Sequence, residues 1–146
     1  MQQVSDYELE LLKIIWAGNG NQAMYAEIVE ALEKKGLSWT KNTIITLLSR
    51  LVSKGFLRVQ KIGRRNQYIA IISEEQYKEV QTQSLLDRVY EGDAKGLVCT
   101  LIQGSLLSPE EYEELKMYWE EGNHNTLLRQ NGIYAKMWNM QAKNYQ

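Results

Sequence analysis

The spacing of apolar residues changes period within one short stretch of this chain, and that change restricts the fold more than any other feature. From Thr40 to Lys54, Ile44, Leu47, Leu48, Leu51 and Val52 fall at i, i+3, i+4, i+7 and i+8, the core face of an amphipathic helix. Thr40 or Ser38 can cap its start, and Gly55 follows it as a stop. Phe56 to Gln60 and Gln67 to Ile72 then read as two strands, rich in aromatic and β-branched residues. They are joined by K-I-G-R-R-N, in which Gly63 and Asn66 suit turn conformations. Two helices precede this unit. Ser5 to Trp16 opens on the capping box S-D-Y-E and places Leu9, Leu12, Ile15 and Trp16 on one face. After turn residues Gly18 to Asn21, Met24 to Lys35 puts Ile28, Val29 and Leu32 inside and Glu27, Glu30 and Glu33 outside, with Gly36 as its C′ residue. Three helices followed by a hairpin are the sequence form of a winged helix-turn-helix, mainly α with a small β-hairpin.

Charge gives that unit a direction. Lys34 to Ile72 holds nine of the 17 Lys and Arg residues and none of the 18 Asp and Glu residues, so it carries +9 in a chain of net charge −1. Positive charge gathered at one place in a near-neutral protein fits a polyanionic partner. The third helix also carries no carboxylate on its polar side, where Asn42, Thr43, Thr46, Ser49, Arg50 and Ser53 lie. A merely solvated face usually mixes Glu with its Lys, whereas hydroxyls, amides and guanidinium groups reach base edges and phosphates. The candidate DNA-binding set is therefore Thr40, Lys41, Asn42, Thr43, Thr46, Arg50 and Lys54 on the helix, with Arg64, Arg65 and Asn66 at the wing tip. Ile45, on the flank of the polar side, has two equal readings: contact with a thymine methyl, or packing under the first helix.

Beyond Ile72 the chain becomes helical and acidic. Ser73-Glu74-Glu75-Gln76 is a second capping box, starting a helix through Tyr90, and Gly92 and Asp93 break it. Asp93 caps a short helix, Gly104 and Ser105 end it, and Ser108-Pro109-Glu110-Glu111 starts another. Such short amphipathic helices bury too little alone and more naturally interlock with the same helices of a second chain. Tyr77, Leu85, Val89, Leu97, Val98, Leu101, Ile102, Tyr112 and Leu115 are the candidate dimerisation residues. A two-fold dimer presents two recognition helices to an inverted repeat in double-stranded DNA. The division expected is a winged-helix domain at 1–72, a three-helix dimerisation domain at 73–121 and an atypical helical tail at 122–146.

Other classes find little support. The single cysteine, Cys99, permits no intramolecular disulfide and reads as a small buried hydrophobe. No apolar run approaches the roughly 20 residues of a membrane span, and the acidic N-terminus lacks the form of a signal peptide. A cytoplasmic location is therefore expected. His124 lacks metal-ligand company, and no nucleophile elbow, metal cluster or paired-carboxylate context assembles around it, so neither an enzyme, a metal nor a cofactor is expected.

Three segments resemble the penicillinase repressor family of BlaI/MecI type. They are T-K-N-T-I-I-T-L-L-S-R-L-V-S-K-G (Thr40 to Gly55), the wing G-R-R-N-Q-Y, and L-L-D-R-V-Y-E-G-D-A-K-G-L-V (Leu85 to Val98). The likeness runs from about Ser5 to Trp119. It implies a homodimeric repressor of antibiotic-resistance or transporter genes, with an N-terminal winged helix and a C-terminal helical dimerisation domain. In one branch it implies relief by a membrane sensor and cleavage within the dimerisation domain, here Leu97 to Gln103. A copper-responsive branch with paired C-x-C motifs is excluded, since only Cys99 is present. The tail departs from the family. Glu121 to Gln146 is similar to the extreme C-terminus of ABC-transporter nucleotide-binding subunits, through G-x-H-x-x-L-L and G-x-Y-x-x-M-W, but the chain has no phosphate-binding G-x-x-x-x-G-K-[ST] loop. Ile133, Tyr134, Met137 and Trp138 form an apolar stripe that suits a short docking helix.

Two functional classes follow. The first is a repressor on an inverted-repeat operator. The second is a winged-helix adaptor whose aromatic C-terminal helices dock a protein partner, without specific DNA binding.

Overall fold

A computed structural model of the chain describes residues 2–123, in two units that divide between Leu85 and Leu86. The expected tail helix and the ABC-transporter-like segment lie, apart from its first residues, outside the described residues.

The first unit is built from helix α1 (Asp6–Ala17), strand β1 (Gln22–Met24), helices α2 (Tyr25–Lys34) and α3 (Lys41–Ser53), strands β2 (Leu57–Ile62) and β3 (Arg65–Ala70), and the start of helix α4 (Glu74–Arg88). The expected capping boxes form. Ser5 Oγ accepts from the Glu8 amide at 3.2 Å while Glu8 Oε1 accepts from the Ser5 amide at 3.2 Å. Ser73 and Gln76 make the same exchange at the start of α4, at 2.9 and 3.1 Å.

The three helices bury one face each. Leu11, Leu12 and Ile15 of α1, Ile28 and Leu32 of α2, and Leu48 and Leu51 of α3 converge with Phe56 and Leu57, all essentially inaccessible to solvent. Gly55 closes α3 with φ +85°, and nothing lies within 4 Å of where its Cβ would be. The cost of a side chain there is purely that of the left-handed backbone. Gly55→Ala should therefore lower stability by about 1–2 kcal/mol, readable as a lower urea midpoint with unchanged slope.

The sheet corrects the two-stranded expectation. A third strand, β1, pairs antiparallel with β3, giving the order β1-β3-β2 with Ala23 opposite Tyr68. Gln22-Ala23-Met24 has no β-branched or aromatic residue to announce a strand, and its pairing comes entirely from the neighbouring hairpin. The turn is also tighter than expected. Ile62 pairs with Arg65, leaving only Gly63 and Arg64 as the loop, with positive φ at Gly63. Positive φ at the first loop residue alone is the pattern of a type II′ turn. Asn66 is not a turn residue: it lies in β3 opposite Lys61. Beyond Leu57, every residue of β2 is exposed, so the hairpin projects past the core as a wing.

Tyr77 is a second correction. It is buried in the core of the first unit, with ring centroids 5.5 Å from Trp16 and 6.2 Å from Phe56. The Trp16 indole N–H also donates to the Ile72 carbonyl at 2.9 Å. The winged-helix unit thus extends past residue 72 and uses the first turn of α4 as a lid on its aromatic cluster. Tyr77 is occupied there and does not belong to a dimer surface.

The second unit holds the end of α4, helices α5 (Ala94–Gln103) and α6 (Pro109–Tyr118), and a π-helical turn at Trp119–Asn123. Asp93 caps α5 by accepting from the Gly96 amide at 2.9 Å. Ser108 and Glu111 form the third capping box, with Pro109 in the first turn. No residue of α5 or α6 is buried. Val89, Val98, Leu101, Ile102, Tyr112 and Leu115 are exposed, as is Leu85 at the end of the first unit, and Leu97 and Cys99 are half-buried.

Candidate nucleic-acid interface

Helix α3 is anchored by its apolar side and capped by Thr40, whose hydroxyl accepts from the Thr43 amide at 3.2 Å. The Thr40 and Thr43 hydroxyls lie 2.9 Å apart in a shared hydrogen bond, which locks the first turn. Asn42, Ile45, Thr46, Ser49 and Arg50 are exposed and Thr43 is half-buried. Ile45 therefore does not pack beneath α1.

Between α3 and the wing runs a groove of about 520 Å³. Lys41 and Ile45 line it from α3, Arg64, Arg65, Asn66 and Tyr68 from the wing and β3, and Met24, Tyr25 and Ala26 from the β1–α2 junction. Four of the ten DNA-binding candidates are thereby brought together: Lys41, Arg64, Arg65 and Asn66. Thr46, Arg50 and Lys54 line a shallower hollow on the other side of Ile45, with Gln2, Ser49 and Ser53. Asn42 stands exposed near the N-terminus of α3.

The nine cations of the basic stretch separate into two kinds. Lys34 pairs with Glu30 at 3.5 Å, Lys35 with Glu10 at 3.2 Å and Lys54 with Glu8 at 2.9 Å. Lys41, Arg50, Arg58, Lys61, Arg64 and Arg65 have no carboxylate within ion-pairing distance among the described residues. These free charges sit on α3 and on the wing, the two elements that flank the groove. Hence the field that reaches outward comes from helix and hairpin together.

Lys54 lines the second hollow, but unlike Arg50 its charge is already paired. Its ammonium donates to Glu8 Oε1 at 2.9 Å and to the Gln3 carbonyl at 2.8 Å, and it is mostly covered. Glu8 is the one buried charged residue among those described. Burial pushes its carboxyl upward, but hydrogen bonds from Lys54 and Ser5 outweigh this and hold it below its ordinary value of 4.5. The same burial raises the Tyr77 phenol, with the Glu8 charge adding to it. Lys54 thus ties the end of α3 to the start of α1, and its charge is spent inside the unit.

Tyr25 and Met24 were absent from the sequence-derived set, because nothing local in Q-A-M-Y marks them as groove residues. They are carried there by the pairing of β1 with β3. Among the described residues, no cluster of three or more His, Cys, Asp or Glu side chains could hold a metal, and no helix is long and apolar enough to cross a membrane.

Comparison with known proteins matches the chain to a family. The family model for the penicillinase repressor matches residues 4–121. The penicillinase repressor of Bacillus licheniformis is 38% identical over 119 residues, covering 82% of this chain and 91% of that protein. The methicillin resistance regulatory protein MecI of Staphylococcus aureus is 31% identical over 114 residues, covering 78% of this chain and 90% of that protein. Among solved structures, the DNA-binding domain of the repressor BlaI is similar over 51% of this chain and 88% of its own, at 39% identity and a TM-score of 0.45. The chain belongs to the penicillinase repressor family, and is a transcriptional repressor with a winged-helix domain rather than an enzyme.

Proposed function

We propose that this chain is a cytoplasmic, homodimeric repressor that binds an inverted-repeat operator in double-stranded DNA and controls antibiotic-resistance or transporter genes. The observation that carries the reading is the placement of the unpaired cations on both sides of one groove, between α3 and the wing. In this reading α3 enters the major groove. Asn42, Thr43 and Thr46 face base edges, and Lys41, Arg50, Arg64 and Arg65 hold phosphates. Thr40 positions the first turn, and Asn66 lies beside the wing tip, one pair behind the turn.

Dimerisation is supported by the second unit's lack of buried residues in α5 and α6. Leu85, Val89, Leu97, Val98, Leu101, Ile102, Tyr112 and Leu115 would meet their counterparts in a second copy, burying a face that water otherwise covers. Relief of repression falls to proteolysis within 97–103 by a sensor protease, or to a different signal.

The test is selection of bound duplexes from a random library by the full chain, with affinity then measured across salt. An inverted repeat should be enriched, and affinity should fall by about a thousandfold or more between about 50 and 200 mM salt. Asn42→Ala should cost about 1–3 kcal/mol and relax preference at one position of each half-site. A chain that remains monomeric at micromolar concentration, or binds every duplex equally, would overturn this reading.

A further inference from the structure

We infer that Ile45 is a specificity determinant that reads the 5-methyl group of a thymine in each half-site. The inference rests on the DNA-binding reading above and deepens it. Ile45 is the one apolar side chain among the exposed residues of α3, at 39% exposure, and its neighbours there are Lys, Asn, Thr, Ser and Arg. A single exposed isoleucine needs no explanation by itself. Its position is what points to a ligand. Ile45 forms the ridge between the two concavities of the interface: Lys41, Arg64 and Arg65 line one beside it, and Thr46 and Arg50 line the other.

Cations on both sides would bring a phosphate backbone to either flank, leaving the ridge over the base edges between them. In the major groove, the thymine methyl is the apolar group that an aliphatic side chain can cover, and cytosine presents none there. Asn42 lies three residues earlier on α3, about 4.5 Å along its axis, on the order of one base step. An amide suited to adenine therefore stands beside an aliphatic group suited to thymine, and the half-site should contain adjacent A·T pairs.

Exchanging thymine for uracil deletes only the methyl group. With the full chain and its selected duplex, each thymine is replaced in turn by uracil and affinity is measured by fluorescence anisotropy. At one position per half-site the wild-type chain should weaken about fourfold, the loss expected for one buried methyl, with the salt slope unchanged. Ile45→Ala should bind thymine and uracil duplexes equally and melt at the wild-type temperature, because the side chain supports no core. Indifference of the wild-type chain to uracil at every position would overturn the inference, as would retention of the discrimination by Ile45→Ala. A library from which nothing is enriched would remove the DNA-binding reading and this inference with it.

Discussion

Replacing Arg64 and Arg65 together by alanine is expected to weaken operator binding by on the order of a thousandfold at about 100 mM salt, while leaving the melting temperature unchanged. Both side chains are exposed at the wing turn and make no ion pair among the described residues, so the fold loses nothing with them. Each cation on a phosphate releases close to one counterion, and a dimer would lose four such contacts. The plot of log affinity against log salt should become shallower by roughly four. Base preference should persist, because it rests on α3. A double variant that kept the wild-type slope would mean that the wing stands clear of the backbone.

Lys54→Met should act on a different quantity. It leaves the Glu8 carboxylate buried without its ammonium, which should cost about 3 kcal/mol and lower the melting temperature by roughly 10–20 °C. The salt slope of DNA binding should be unaffected, in contrast to the wing variant. Adding Glu8→Gln to Lys54→Met should recover most of the loss, since the stranded charge is then gone. A Lys54→Met chain that melts normally but binds with a shallower slope would mean that the Lys54 charge serves DNA rather than Glu8.

The pair also sets an acid limit. Because the folded chain holds Glu8 below 4.5, the stability linked to that shift is fully present above 4.5 and is lost as pH falls through the lowered value. The double variant should lack this part of the acid response, as followed by thermal melts from neutral pH down to about 3.

Much of this molecule was legible in local pattern. The capping signals at Ser5, Thr40, Ser73, Asp93 and Ser108 fall where helices begin, because an N-cap satisfies amides only a few residues away. The apolar period of α3 assigned Ile44, Leu47, Leu48 and Leu51 to the core, since a helix whose face is set by 3.6-residue spacing needs no knowledge of its partner. The basic stretch and the family's motifs both fall on α3 and the wing.

Three-dimensional pairing decided the rest. Ala23 joins a strand because β3 lies beside it, 45 residues later in sequence, at Tyr68. Tyr77 looked like one more apolar position of a C-terminal helix, but Trp16 and Phe56 draw it into the first core. Lys54 is one of nine equal charges in the sequence, but in the fold Glu8 lies 2.9 Å from it. By itself, then, the sequence determined the helices, their inner faces and where positive charge accumulates, all set by neighbours within a few turns. Which of those charges remain free for a ligand was decided only by tertiary structure, because an ammonium's partner can come from anywhere along the chain.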